Sequence, residues 1–210
     1  MNRILQIIMV LLVSSGCDRS SNPIDEKDIL DPRAILLADS AGNIMTSYPD
    51  ENMEDAIDLF NQAIVIQPDY YEAHLYKEVC LSRLGRKEEA FEALKARAAL
   101  RPRTPHMTTA IGAYYDLHGD TAAAKAQYLA AEFYYSELQK PYTGEVYAGL
   151  SRSGAYTDRA LNLKLLGEEK KANELLEKIR DNHIHISIQA QIDAYLKMTR
   201  EEYLEYQYGD

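Results

Sequence analysis

The chain has 210 residues and a formal net charge of −10 at pH 7, because 33 acidic residues outnumber 23 basic ones. Such a charge repels phosphate backbones and anionic lipid headgroups, and therefore argues against a nucleic-acid-binding protein. The length suffices for one hydrophobic core, and two cysteines cannot form a disulfide framework.

The first residues have the layout of an export signal. Arg3 precedes an unbroken apolar run, IIMVLLV, and small residues ending at Gly16 follow it. The run is too short for a stable transmembrane anchor, which needs about 20 residues. With Cys17 next, residues 1–16 resemble a bacterial lipoprotein signal peptide, although Ser14 stands where that family usually has Leu.

The resemblance implies that Cys17 becomes the first residue of the mature protein and carries the lipid. Asp18 resembles the signal that keeps such proteins at the periplasmic face of the inner membrane. Residues 17–31 are then the lipidated cysteine and a flexible tether, because they are polar and lack apolar periodicity. The alternative is ordinary secretion, with Cys17 as an incidental thiol. We expect Cys80, in an apolar helical stretch, to be an inert thiol.

The chain repeats itself from about residue 33. The segments AIDLFNQAIVIQP, AFEALKARAALRP and AKAQYLAAEFYYS begin at Ala56, Ala90 and Ala124, with a spacing of 34 residues. This period and pattern resemble the tetratricopeptide repeat, a helix–turn–helix unit. The resemblance implies an all-α fold over residues 32–210, a tetratricopeptide-like α-solenoid of antiparallel helix pairs with C-terminal capping helices. We expect the units at about 37–70, 71–104, 105–138 and 153–186.

Glycines mark the end of the first helix in three of these units. A glycine there allows the left-handed backbone conformation of a helix C-cap, which we predict at Gly85, Gly119 and Gly167. Small residues at the helix crossing allow close approach of the two helices. The third unit matches the family best, with Gly112 in its first helix and Tyr128 in its second.

Departures from the family pattern occur in the second and fourth units. The second has Lys77, Glu78 and Arg97 where the family prefers apolar or small residues. The fourth requires a 14-residue insertion around 139–152, which we expect to lengthen its first helix.

The C-terminal residues predict capping helices that cover the apolar face of the last unit. Residues 187–198 have an amphipathic helical pattern, and Thr199 with Glu202 forms a capping-box signature that opens a last short helix. The three tyrosines of that helix are either half-buried in the cap or a tail for a partner: Tyr203, Tyr206 and Tyr208.

In tetratricopeptide proteins, residues 2, 5, 9, 12 and 13 of the first helix line a concave partner-binding groove. The corresponding residues of the second unit are Glu72, Leu75, Val79, Ser82 and Arg83, and those of the third are His106, Thr109, Ala113, Asp116 and Leu117. They lack the Lys/Asn set with which certain family members hold a peptide's C-terminal carboxylate. The alternative is that some of these residues pack against a neighbouring helix.

Catalytic and cofactor motifs are absent from the sequence. There is no Gly-x-Ser-x-Gly, phosphate-binding glycine loop or Cys-x-x-Cys. His183 and His185 have a spacing that could hold a metal, but no carboxylate or cysteine pattern supports a site. We therefore expect no enzymatic activity, no metal and no cofactor.

Together, these resemblances predict a membrane-anchored periplasmic lipoprotein that binds a protein or peptide partner as an adaptor, for assembly or regulation of envelope complexes. The alternative is an immunity protein that neutralises a periplasm-targeted toxin.

Overall fold

The computed structural model describes residues 30–47, 52–138, 150–182 and 185–209. The signal segment, Cys17, Asp18, most of the tether, residues 139–149 of the insertion and His183 lie outside the described residues. The described chain forms two compact units, one ending at Met107 and the other beginning at Thr108.

The first unit contains four helices joined by short turns. They are α1 (Pro32–Ser47), α2 (Met53–Ile66), α3 (Tyr71–Arg83) and α4 (Lys87–Leu100). Each packs against the next one along the chain. Their shared core includes Ala56, Phe60, Cys80 and Leu81. Cys80 is fully buried, and burial raises the pKa of its thiol to about 11, which is the environment expected of an inert cysteine.

The helix α5 (Pro105–Leu117) runs across the boundary between the units. The second unit continues with α6 (Thr121–Leu138), α7 (Leu150–Leu165), α8 (Glu169–Asp181), α9 (Ile186–Lys197) and α10 (Arg200–Tyr208). Here too, α6 to α9 pack in chain order, and α10 packs against α7. The predicted fold class is confirmed for the described residues: they form an all-α, solenoid-like arrangement with no strand.

Three of the turns share one hydrogen-bonding pattern. After α3, the N–H of Gly85 donates to Ser82 O at 3.1 Å, and the N–H of Arg86 donates to Leu81 O at 2.9 Å. The same two bonds follow α5 and α7. The three glycines have φ values of 70°, 81° and 80°, which confirms the predicted left-handed caps at Gly85, Gly119 and Gly167.

Gly112 permits the close contact between α5 and α6. A Cβ atom at this position would lie 2.7 Å from Cε1 of Tyr128, a ring that is almost fully buried. The small residues of α6, Ala124 and Ala131, are buried as well. These two helices therefore approach each other through a glycine on one side and an aromatic ring on the other.

The capping box predicted at the start of α10 is confirmed. The N–H of Glu202 donates to Thr199 Oγ1 at 3.1 Å, and the N–H of Thr199 donates to Glu202 Oε2 at 2.8 Å. Of the three tyrosines in this helix, Tyr203 is buried, Tyr208 is half-buried and Tyr206 is exposed. Among the described residues, no helix combines the length and apolarity that crossing a membrane requires.

Candidate functional site

The predicted groove residues of the second repeat, residues 71–104, lie along one face of α3. Glu72 and Ser82 are exposed, and the apolar residues Leu75 and Val79 are half-buried, as is Arg83. Positions spaced by three and four residues share a helix face. The result is an accessible surface that presents apolar area between polar groups at both ends.

Next to this face, the first compact unit contains an ionic network that accounts for two of the departures from the repeat pattern. Arg97 Nε lies 2.8 Å from Glu78 Oε2, and Arg97 Nη2 lies 3.1 Å from Oε1. A third donor, Nη1, bonds to the hydroxyl of Tyr71 at 2.8 Å. The two charged residues that break the pattern therefore satisfy each other, in an interior where an isolated charge would be costly.

Burial raises the pKa of Glu78, and the guanidinium of Arg97 opposes that shift. The Tyr71 ring also carries a second cation, because the guanidinium carbon of Arg101 lies 3.6 Å from its centroid. This network fixes the packing of α3 on α4. Glu78 lies beside Leu75 and Ser82 on the surface of α3, because residues three and four apart share a helix face. Among the described residues, the predicted groove residues of α3 form one ion pair, Glu72 with Arg101 at 4.0 Å.

The predicted groove residues of the third repeat, residues 105–138, are divided between surface and interior. His106 and Leu117 are exposed, whereas Thr109 and Ala113 are buried. The Thr109 hydroxyl donates to Asn162 Oδ1 of α7 at 3.0 Å, and Asn162 Nδ2 donates to Tyr128 O at 3.0 Å. The interpretation that some groove positions pack against a neighbouring helix therefore describes Thr109 and Ala113.

Asp116, also a predicted groove residue, is bound within the molecule. Its Oδ2 accepts a hydrogen bond from the Tyr128 hydroxyl at 3.0 Å and another from Nη2 of Arg200, the first residue of α10. Arg200 Nε additionally donates to Leu165 O, the last carbonyl of α7, at 2.8 Å. The C-terminal helix is thus attached to α5 and α7 through a single guanidinium group.

Lys164 provides a second attachment of the C-terminal segment. Its side chain is almost fully buried, and Nζ donates to Tyr195 O at 2.7 Å and to Met198 O. These carbonyls lie at the C-terminal end of α9, where the helix dipole favours a cation. The sequence signal for this role is a lysine inside the apolar run ALNLKLL, which the repeat pattern alone does not explain.

Asp158 of α7 is the residue that sequence reasoning missed altogether. It is exposed, and no described residue forms an ion pair or a hydrogen bond with it. The protein packed around it withdraws enough water to raise the pKa of its carboxyl to about 6. Burial is the main cause of the raised pKa values of four tyrosines, and the charge of Asp158 raises them further: Tyr135, Tyr195, Tyr203 and Tyr208.

No combination of metal-binding residues occurs in the described part of the chain, where no group of three or more His, Cys, Asp or Glu side chains could hold an ion. Comparison with known proteins adds no functional assignment, because the sequence matches no family model and no curated protein. The chemistry of each compact unit must therefore be considered by itself. The first has an accessible face on α3, and the second has an internally bound Asp116 and the carboxylate of Asp158.

Proposed function

We propose that the protein is a lipid-anchored adaptor that holds a protein partner on the accessible face of α3. In this proposal, lipid on Cys17 and sorting through Asp18 keep it at the periplasmic face of the inner membrane. The observation that carries the proposal is the surface formed by Leu75, Val79 and Ser82. It offers apolar area and hydrogen-bonding groups on a helix that the adjacent Arg97–Glu78 pair holds against α4.

The helix-pair architecture supports the same function. Rigid helices present side chains at fixed spacing, which lowers the ordering cost when a partner binds. A half-buried apolar side chain beside exposed polar ones is typical of an interface that must also be stable without its partner. The acidic net charge disfavours nucleic acid as the partner, and a protein remains the proposed ligand.

The anchor is tested by membrane fractionation of Cys17→Ser. The expected result is release of the variant from membranes, because the three acyl chains implied by the resemblance to bacterial lipoproteins would bind far more firmly than the remaining protein surface. Cys80→Ala is the matched control, since Cys80 is buried and outside the signal; it should stay in the membrane fraction. Continued membrane association of Cys17→Ser would refute the anchor.

The partner-binding face is tested by site-specific photocrosslinking in intact cell envelopes. A photoreactive amino acid at Ser82, on the proposed face, should yield a crosslinked partner. The same amino acid at Glu88, an exposed position of α4, should not. Adducts from Glu88 but not from Ser82 would contradict the proposed face, and a single tightly bound toxin as the product would replace the adaptor with an immunity protein.

A further inference from the structure

The C-terminal helix α10 is held by one charged group and a narrow apolar face. Arg200, its first residue, donates to Asp116 Oδ2 of α5 and, through Nε, to Leu165 O at the end of α7. Two further side chains of α10 are buried, Tyr203 and Leu204. The helix therefore presents to the rest of its unit a guanidinium group and, three and four positions later, an aromatic and an aliphatic side chain. These positions share one helix face.

The groups that receive Arg200 form a binding site for one guanidinium group. The Asp116 carboxylate is positioned by the Tyr128 hydroxyl, which donates to the same Oδ2 atom at 3.0 Å. The carbonyl of Leu165 lies at the C-terminal end of α7, where the helix dipole favours a cation. A planar guanidinium can donate to both acceptors at once, and its bond to the carboxylate is charge-assisted.

An apolar surface lies beside this guanidinium site. Tyr203 and Leu204 belong to one buried cluster with Ala113 of α5 and Leu161 of α7, and α10 packs against α7. The helix is thus attached by a few anchors on one face, in the way that a short amphipathic helix from another protein lies on a receptor surface. The covered surface has the composition of a helix-binding site, with α10 as its present occupant.

The connection to α9 lets α10 detach as one unit. Met198 and Thr199, which join the two helices, have extended backbone with ψ values of 137° and 169°. Lys164 holds the carbonyl of Met198, so the end of α9 stays fixed when the following residues move. The capping box of Thr199 and Glu202 moves with α10. A short helix with few buried side chains also opens more readily than a core element.

We propose that α10 is an internal ligand, and that the surface which it covers binds a helical segment of a partner protein with the same chemistry. That segment has an arginine in its first turn and, three and four positions later, an aromatic and an aliphatic residue. Because α10 belongs to the same chain, its local concentration is high. The surface is therefore closed in the isolated protein and accepts only a segment that competes with α10. It lies within the second compact unit and does not rest on the α3 face.

The test uses the full chain and, as its probe, a fluorescein-labelled peptide with the sequence of residues 199–210. Fluorescence anisotropy measures the affinity. The parent chain should bind the peptide weakly, because its own α10 occupies the surface. Arg200→Ala should bind it about tenfold more tightly, since the chain's α10 has lost its anchor and the peptide still carries the arginine. A peptide that itself carries Arg200→Ala should not show this gain.

The double variant Arg200→Ala/Asp116→Asn is the matched control. An amide at position 116 needs no counter-charge, so this variant should be folded, and its melting curve checks this. It should bind the peptide about tenfold more weakly than Arg200→Ala does, because the carboxylate that holds the guanidinium group is gone.

Two results would overturn the internal ligand. Equal peptide affinity of the parent and Arg200→Ala would identify α10 as a permanent cap, and equal affinity of the double variant would show that Asp116 does not receive the arginine. Sedimentation equilibrium tests the occupant. Self-association of the parent that disappears in Arg200→Ala would show that α10 of a second copy takes this place, and would overturn the assignment to a different partner.

Discussion

Arg200 and Asp116 lie 84 positions apart in the sequence, yet the guanidinium of one donates a hydrogen bond to the carboxylate of the other. The Asp116 side chain is only 6% exposed, so this bond neutralises a charge that solvent barely reaches. The same guanidinium bonds to the end of α7. Residue 116, a predicted partner contact, therefore serves to hold the C-terminal helix.

Replacing Arg200 with alanine should destabilise the protein by about 3 kcal/mol. The variant leaves Asp116 buried without its cation, and removal of one partner from such a pair is strongly unfavourable. Urea unfolding measures the effect. Asp116→Asn in the Arg200→Ala background should recover part of the loss, because an amide does not require a counter-charge. Equal midpoints for Arg200→Ala and the parent protein would show that the pair contributes no stability.

Gly112→Ala should cost roughly 1–3 kcal/mol, because its new methyl group would overlap a buried ring. The added Cβ would lie 2.7 Å from Cε1 of Tyr128, and α5 and α6 must separate to accommodate it. Gly42→Ala is the matched control. It lies within α1, where a Cβ would meet nothing within 4 Å, and the same substitution should stabilise that helix by about 0.5–1 kcal/mol. Thermal unfolding of both variants measures these effects: the melting temperature should fall for Gly112→Ala and rise for Gly42→Ala.

Asp158→Asn should increase stability at neutral pH. The pKa of this carboxyl rises from 3.8 in the unfolded chain to about 6 in the folded one, so the folded state binds the proton more tightly. Stability therefore falls as pH rises from about 4 to about 6 and is constant above that range. Because the residue is exposed, we expect a gain of only about 1 kcal/mol at pH 7. Urea unfolding of both proteins at pH 4, 5, 6 and 7 measures this gain, which should disappear at the lowest pH; a constant difference across the series would contradict the shifted pKa.

Much of the fold could be predicted because it depends on local signals. The turn glycines Gly85, Gly119 and Gly167 need a backbone conformation that other residues adopt only with strain, and each appears at the expected place. The capping box of Thr199 and Glu202 is equally local, since both partners lie within one helical turn. Such features require no knowledge of distant contacts.

The functional side chains were harder to predict because their partners are distant in sequence. Nothing near Asp116 indicates that Arg200 binds it, and nothing near Lys164 indicates the carbonyl groups that it caps in α9. Asp158 lies in an ordinary helical segment, TDRALNL, and only the packing around it makes its carboxyl unusual. A repeat pattern assigns helix faces well, but it does not show which face another part of the same chain already covers.

Arg97→Met tests whether Glu78 and Arg97, two charged residues that depart from the pattern of the second repeat, act as one pair. Alone, it should destabilise the protein by about 3–5 kcal/mol, because Glu78 remains in the interior without its bidentate partner. The pKa of Glu78, already raised by burial, should rise further once the opposing guanidinium is gone. The double variant Arg97→Met/Glu78→Leu should return close to the parent stability, since well-packed apolar groups can replace a buried ion pair. A double-mutant cycle in urea measures the coupling. If the two single losses simply add in the double variant, the residues do not stabilise each other, and the α3 face lacks the fixed support on which its proposed role in partner binding depends.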